Sequence, residues 1–72
     1  MADSVYKIIE LVGTSTESWE RAAEVAVKTA SKHLKDLRIA EVVQLDMHID
    51  ERLVITYRTK LKVSFKYHEE KD

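Results

Sequence analysis

The sequence predicts an α+β fold in which one helix packs on a three-stranded antiparallel sheet, in the order β-α-β-β. Three observations predict this fold. Residues 53–67 alternate apolar and charged side chains with the two-residue period of a strand that buries one face. Residues 19–34 carry an apolar stripe with helical spacing. Residues 39–49 alternate again and end just before a short polar segment, which indicates a hairpin with residues 53–67.

The first strand is predicted over residues 4–12. Its apolar side chains occupy both parities, so both faces of the strand are expected to be covered. Gly13, the only glycine, is expected to end the strand in a turn. Thr14 and Glu17 then have the spacing of a capping box, in which the Thr hydroxyl accepts from a backbone N–H and the Glu side chain reaches back. We therefore expect the helix to begin near these residues, with Glu17 in the cap.

The helix is expected to present its apolar stripe to the sheet and its charged residues to solvent, over roughly five turns. Ion pairs of the favourable i, i+4 orientation are expected from Glu17 to Arg21 and from Glu24 to Lys28. The only tryptophan lies on the stripe, where we expect it in the core or at a subunit contact. The stripe consists of Trp19, Ala22, Ala23, Ala26, Val27, Ala30 and Leu34.

The last two strands are expected to be joined by a three-residue loop, 51–53, which sets their register. A slip by one residue would place apolar side chains against charged ones. In the expected register Ile39 and Arg58 lie on opposite faces of the sheet, and Glu41 is a charge on an otherwise apolar face. The expected cross-strand pairs are Ile49 with Ile55, Met47 with Tyr57, Asp46 with Arg58, Val43 with Leu61 and Ile39 with Phe65.

The chain, residues 1–72, is expected to form a single domain with a thin core. A domain of this length buries only about 60% of the surface that its unfolded chain exposes. The sequence contains no cysteine that could form a disulfide or ligate zinc, and small domains without such links commonly bury more area against copies of themselves. A single helix also covers only the centre of one face of such a sheet. We therefore expect a homo-oligomer.

Composition and motifs argue against several classes of function. The chain has 12 basic and 13 acidic residues, so no net field attracts nucleic acid. No window approaches an apolar membrane-spanning length, and the N-terminus lacks the pattern of a secretion signal. We expect a cytoplasmic protein without nucleic-acid or membrane partners. No catalytic constellation or phosphate-binding loop is present, so we expect no enzymatic activity.

Three segments, VGTS, AEVV and TYRTKLKVSF, together resemble the dodecin family over essentially the whole chain. The resemblance implies a subunit that assembles into a hollow homododecamer and stores flavins such as riboflavin, FMN or FAD without catalysis. In flavin-binding members a Trp before the AEV-like stretch stacks on the flavin ring and a Gln in the last strand hydrogen-bonds its edge. Here Ile39 and Arg58 stand at these two positions. Because isoleucine has no π face, it cannot supply the stacking or quench an excited flavin, which weighs against flavin binding.

The segments SWE, RIAEV, LDMHID and YRTKLKVSFK resemble more closely a divergent calcium-dodecin subgroup of that family. This directs attention to oxygen ligands for calcium or magnesium. Asp46 and Asp50 are the candidates, with His48 on the same predicted strand face. Alternate residues of a strand lie about 7 Å apart, so a symmetry-related copy would have to complete the coordination. The alternative is a solvated polar face in which Asp46 pairs with Arg58.

Glu41 and a basic row of the last strand also have structural interpretations. Glu41 is expected to pair with a cation at a subunit contact, since an unpaired buried carboxylate is costly. The basic row of the last strand either lines a cavity that attracts anions or is a solvated face. The row consists of Arg58, Lys60, Lys62 and Lys66. Two functions therefore stay open: a shell that sequesters flavin or an ion, and a purely structural self-assembling protein.

Overall fold

The structure is a computed structural model that describes residues 3–67, and it has the predicted order of elements. The three strands form one antiparallel sheet in the order β1-β3-β2, and the helix packs on one face of it. The predicted α+β fold class is therefore confirmed. The elements are β1, Tyr6–Ser15; α1, Trp19–Ala30; β2, Leu37–Ile49; and β3, Ile55–Lys66.

Strand β1 continues through Gly13 to Ser15, so the prediction that Gly13 ends the strand is wrong. Gly13 is paired with Thr59 of β3 inside the sheet. A Cβ atom added at Gly13 would overlap the backbone carbonyl of Ala22 and lie 3.0 Å from the Cβ of Ala26. The glycine is thus required by the close approach of α1 to the sheet rather than by a turn.

The helix is capped at Ser18, and the predicted capping box of Thr14 and Glu17 is wrong. The Oγ of Ser18 accepts a hydrogen bond of 3.0 Å from the backbone N–H of Arg21, which is the usual N-cap geometry. Thr14 still belongs to β1, and the exposed Glu17 precedes the helix, with its backbone N–H donating to the Oγ of Ser15 over 2.9 Å. The helix therefore begins several residues later than the sequence pattern suggested.

Helix α1 contains 12 residues, about three turns rather than five. It ends at Ala30, whose carbonyl accepts from the backbone N–H groups of His33 and Leu34 over 3.0 and 2.9 Å. On the solvent side Glu24 pairs with Lys28 over 3.0 Å, as predicted, and also with Arg21 over 3.1 Å. Arg21 therefore pairs with Glu24 and not with Glu17. The hydrogen bond and charge of Lys28, followed by those of Arg21, lower the pKa of Glu24.

The core lies between the apolar stripe of α1 and the centre of β3. Leu61 and Val63 are each 1% exposed and pack against Ala26. Thr59, also 1% exposed, donates its Oγ1 hydrogen to the backbone carbonyl of Trp19 over 2.8 Å, which joins the first turn of the helix to the sheet. The helix residues buried along the predicted stripe are Ala22, Ala26 and Ala30. Small side chains on the helix allow this close packing.

The hairpin between β2 and β3 has the predicted three-residue loop. The backbone N–H of Asp50 donates to the carbonyl of Val54 over 3.2 Å, and that of Leu53 donates to the carbonyl of Asp50 over 2.9 Å. Leu53 has a φ of 64°, as expected for the last residue of such a loop. The carboxylate of Asp50 also accepts from the backbone N–H groups of Arg52 and Val54, over 2.8 and 2.9 Å. Asp50 therefore organises the turn.

The predicted register of the hairpin is confirmed near the turn and wrong beyond it. Ile49 opposes Ile55, and the expected pairing continues as far as Gln44 with Lys60. A bulge at position 43 then shifts the register by one residue, and a second irregularity follows at position 38. An extra residue in one strand has this effect. The observed partners are Val42 with Leu61 and Ile39 with Ser64, instead of Val43 with Leu61 and Ile39 with Phe65.

The bulge reverses the sheet faces to which the side chains in the first half of β2 point, relative to the predicted register. Glu41 opposes Lys62, on the sheet face away from α1, so its predicted place on an apolar face is wrong. Ile39, opposite Ser64, shares the face of Arg58, whereas the unbulged register placed these two residues on opposite faces. Within residues 3–67 no helix is long and apolar enough to cross a membrane.

Candidate functional site

The sheet face away from α1, here called the outer face, carries most of the polar side chains singled out in the sequence. Because Leu61 and Val63 point to the helix, the even-numbered residues of β3 and their cross-strand neighbours lie on the outer face. From the hairpin outward, the rows are Thr14, Arg58 and Asp46; Val12, Lys60 and Gln44; Glu10, Lys62 and Glu41; and Ile8, Ser64 and Ile39.

Asp46 and Arg58 form a bidentate ion pair on this face. The Nε–H of Arg58 donates to Oδ1 of Asp46 over 2.7 Å, and its Nη2–H donates to Oδ2 over 3.0 Å. The hydrogen bonds from Arg58 lower the pKa of the Asp46 carboxyl, partly opposed by desolvation and aided by the positive charges of Arg58 and Lys60. The same pairing raises the pKa of Arg58. The sequence-based prediction of this pair is confirmed.

The backbone of Asp46 is fixed from the opposite face of the sheet. The indole Nε1–H of Trp19 donates to the Asp46 carbonyl oxygen over 2.9 Å. The Trp19 ring also meets the ring of Tyr57 edge to face, with centroids 5.0 Å apart and an interplanar angle of 71°. Trp19 therefore ties the start of α1 to the strand position that carries the ion pair. The sequence predicted Trp19 in the core or at a subunit contact but did not indicate this hydrogen bond.

A small pocket of 150 Å³ surrounds the ion pair on the outer face. Two cations, one carboxylate, one amide and one apolar side chain line it, so its chemistry is polar. Its volume lies below the roughly 300–1,000 Å³ of sites for drug-sized ligands. In a single chain it can enclose a small ion or one functional group of a larger ligand. Its lining residues are Val12, Gln44, Asp46, Arg58 and Lys60.

The two residues at the flavin positions, Ile39 and Arg58, lie on the same face but in different places. Ile39 is 66% exposed beside Ser64, which lies six positions along β3 from Arg58. At the rise of a strand this corresponds to about 20 Å. The bulge thus brings both residues to one face, and within one chain they do not form one pocket.

The two candidate metal ligands, Asp46 and Asp50, are not brought together within the chain. They lie four positions apart, about 13 Å along an extended strand. The carboxylate of Asp46 is bound to Arg58, and that of Asp50 accepts two backbone hydrogen bonds in the turn. Among residues 3–67 no group of three or more His, Cys, Asp or Glu side chains could hold a metal ion.

The other two acids occupy unlike settings. Glu41 is exposed on the outer face, where Lys62 is its cross-strand neighbour and Glu10 lies on the far side of that lysine. Glu17 is exposed in the connection between β1 and α1. Gln44 and Lys60, which line the pocket, were not singled out together from the sequence. The sequence feature that could have indicated the bulge is Glu41, a charged residue that interrupts the apolar alternation of β2 two positions before the bulge.

Comparison with known proteins supports the resemblance seen in the sequence. A sequence model of the dodecin family matches residues 5–68. The calcium dodecin of Mycobacterium tuberculosis is 52% identical over 63 residues, which cover 88% of this chain and 89% of that protein. The dodecin of Thermus thermophilus is 42% identical over 65 residues, which cover 90% of this chain and 94% of that protein.

Solved structures of similar proteins have the same fold. The crystal structure of the calcium-chelating calcium dodecin from Mycobacterium tuberculosis, reported with a novel calcium-binding site, superimposes with a TM-score of 0.85. The superposition covers 96% of this chain and 99% of that chain, at 48% identity. The structure of dodecin from Streptomyces coelicolor superimposes with a TM-score of 0.89 over 97% of this chain and 100% of that one, at 33% identity.

Proposed function

The chain belongs to the dodecin family, and from this premise we propose that it is a non-enzymatic binding protein whose copies assemble into a hollow homododecamer and sequester a small ligand. The single observation that carries the proposal is the family match along nearly the whole chain, with the same fold. The ligand that we favour is calcium, with magnesium as a competitor, and flavin is the second candidate.

The exposed apolar surface supports the assembly. Helix α1 packs on β1 and β3 and hardly touches β2, and large apolar side chains stay exposed on β1 and along the hairpin, such as Ile8, Val12, Met47 and Ile49. An apolar groove of 510 Å³ also runs between β1 and α1, lined in part by Leu11 and Val25. An exposed apolar groove of this kind is usually covered by another protein surface. Copies of the same chain provide that cover in the proposed shell.

Two features of the outer face weigh against flavin as the main ligand. Ile39 offers no aromatic ring for stacking on an isoalloxazine. Arg58 donates two hydrogen bonds to Asp46, so these donors are not available to the edge of a flavin ring. Moreover, arginine has no acceptor for the ring N–H. Ile39 therefore cannot supply the stacking contact, and Arg58 cannot supply the acceptor, that the family resemblance assigns to flavin.

Calcium is favoured by the 52% identity to a calcium dodecin and by the supply of acids near the hairpin. Calcium takes six to eight oxygen ligands, more than the described part of one chain places together. We therefore propose that carboxylates of neighbouring copies complete a site around Asp50 or Asp46. Asp50 is at the exposed tip of the hairpin, where a copy can approach it.

The proposal is tested first by sedimentation velocity and light scattering, which should give the mass of a homododecamer at micromolar protomer concentration. A folded, stable monomer would overturn the assembly. Calorimetric titration of the metal-free protein with calcium, and with magnesium separately, should then show saturable binding of calcium. The absence of calcium binding by an intact dodecamer would exclude the calcium function.

A matched pair of variants locates the site. Asp50→Asn removes a carboxylate of the turn, whereas Glu51→Gln removes the same charge one residue away. We expect calcium affinity to fall by roughly tenfold or more in Asp50→Asn and to stay near the original value in Glu51→Gln. Equal effects of the two variants would show a general charge effect and no site at Asp50.

The flavin alternative has its own readout. Titration of riboflavin and FMN with protein should leave flavin fluorescence unquenched up to high micromolar protein. Quenching with a saturable curve would favour the flavin function. If neither flavin nor calcium binds to the assembled protein, the shell is purely structural.

A further inference from the structure

The pocket around Asp46 contains the groups that usually bind an anion. The guanidinium of Arg58, the ammonium of Lys60 and the amide of Gln44 supply N–H donors. The only anion among the lining residues is the carboxylate of Asp46, which accepts two parallel hydrogen bonds from Arg58 over 2.7 and 3.0 Å. Phosphate and carboxylate groups of ligands are recognised by arginine with this same geometry.

We propose that Asp46 is a specificity-determining residue: its carboxylate occupies Arg58 and thereby keeps the phosphate and carboxylate groups of ligands out of the outer-face pocket. This inference deepens the proposed binding function, on which its biological meaning rests. According to this inference the pocket disfavours anionic ligands, and the Asp46 side chain is the cause.

The distribution of charge on the outer face sets this position apart. Lys62 has a carboxylate on each side, because Glu10 and Glu41 are its two cross-strand neighbours. Arg58 has Thr14 on one side and Asp46 on the other. Removal of the Asp46 charge would therefore leave Arg58 without an anion on either neighbouring strand, whereas Lys62 keeps one carboxylate after either glutamate is removed.

Lys60 strengthens this effect, because it lies next to Arg58 on the same face and its cross-strand neighbours, Val12 and Gln44, are uncharged. Its positive charge contributes to the lowered pKa of Asp46. Without the Asp46 carboxylate, two cations would line one pocket of 150 Å³. A volume of this size accommodates a single phosphate or carboxylate group.

Asp46 is also held in place before any ligand arrives. Its backbone carbonyl accepts the indole N–H of Trp19, and its strand position is directly opposite Arg58 in the regular part of the register. An intramolecular group that is already positioned competes at a high effective concentration against a free ligand. An anion in solution must displace it and loses translational freedom on binding.

The inference is tested with inorganic phosphate as the probe, by calorimetry and by the fluorescence of Trp19, on the assembled protein. Asp46→Asn should bind phosphate roughly two- to fivefold more tightly than the unchanged protein, because the charge-assisted donors of Arg58 become available but the pair is partly exposed to solvent. Glu41→Gln is the matched control: it removes one negative charge from the same face, and phosphate affinity should change little. The double variant Asp46→Asn with Arg58→Gln should lose the gain.

Three results would overturn the inference: equal phosphate affinity of the unchanged protein and Asp46→Asn, an equal gain in Glu41→Gln, or persistence of the gain after Arg58→Gln. If Asp46→Asn does not fold, Asp46→Ala and the Arg58 side-chain NMR signals of the unchanged protein decide instead. Those signals should stay unmoved by low millimolar phosphate, and a saturable shift would contradict the proposal.

Failure of the proposed function gives a different pattern. A protein that binds neither calcium nor flavin, and yet gains phosphate affinity in Asp46→Asn alone, would refute the sequestration function and leave the role of Asp46 intact. Conversely, a calcium-binding dodecamer with no phosphate gain in Asp46→Asn would refute the role of Asp46 only.

Discussion

Replacing Gly13 with alanine should destabilise the protein strongly, although the change adds a single methyl group. The added Cβ would overlap the backbone carbonyl of Ala22 and crowd the Cβ of Ala26 at 3.0 Å. Relief requires α1 to move away from β1, and overpacking of this kind costs about 1–3 kcal/mol. Since the first clash is with main-chain atoms, we expect the upper half of that range, about 2–3 kcal/mol.

The effect is measurable by urea denaturation followed by circular dichroism, at one fixed protomer concentration because unfolding of an oligomer depends on it. In thermal unfolding a domain of this size loses about 4–8 °C for each kcal/mol, so Tm should fall by roughly 10 °C or more. Thr14→Ala, the neighbouring position with an exposed side chain, is the control and should change stability by less than about 0.5 kcal/mol.

A second variant tests the cause. Adding Ala26→Gly to Gly13→Ala removes the Cβ of Ala26, the side-chain atom nearest to the added methyl group, but leaves the Ala22 carbonyl, so the double variant should be no more stable than the single one. Recovery of stability would show that the clash involves side chains. If the free energy of unfolding of Gly13→Ala lies within about 0.5 kcal/mol of that of the original protein, α1 and β1 are not as closely packed as the structure indicates.

Three further predictions concern the cap, the buried hydroxyl and the ion pair. Ser18→Ala should lower the free energy of unfolding by about 1 kcal/mol through loss of the N-cap, whereas Thr14→Ala should not, and equal losses in urea denaturation would contradict the assigned cap. Thr59→Val should cost about 0.5–1.5 kcal/mol by the same measurement, because it preserves shape but removes the hydroxyl that donates to the Trp19 carbonyl; a neutral result would show that this hydrogen bond does not stabilise the fold. The pKa of Asp46, followed by carboxyl NMR, should lie below its ordinary value in the folded protein and rise towards it in Arg58→Gln. Because the folded-state pKa is lowered, the stabilising effect of the pair is present above the unfolded-state pKa and is lost as pH falls through the folded-state value; an unchanged pKa in Arg58→Gln would contradict the pairing.

The parts of the fold that follow local patterns were predictable from the sequence. The alternation of β3 and the stripe of α1 are set by residues close to one another in the chain, and the hairpin register near the turn follows from the loop length. Asp46 and Arg58 are therefore predictable as cross-strand partners from the sequence. The predicted cap was wrong because Thr14, like Ser18, has an acceptor hydroxyl, and only Thr14 is followed three residues later by a Glu.

The parts that depend on distant contacts were not predictable. The bulge at Val43 adds one residue to β2, and a one-residue insertion has no local signature beyond the misplaced charge of Glu41. The hydrogen bond from Trp19 to the Asp46 carbonyl joins residues on different elements, and backbone acceptors cannot be read from residue type. The pocket depends on the bulge and on this hydrogen bond, so its lining residues could not be predicted from the sequence.

The central place of β3 in the order β1-β3-β2 has a consequence for synthesis of the protein. The first strand to leave the ribosome pairs only with the last, so β1 has no hydrogen-bonding partner while α1 and β2 are being made. Its backbone hydrogen-bonding groups must stay without strand partners during this interval, and pairing between distant parts of a chain is slow. The hairpin of β2 and β3 can form locally and then serve as the template on which β1 docks. Nascent chains arrested before β3 should consequently be aggregation-prone and sensitive to proteases. They should bind chaperones until the final strand emerges.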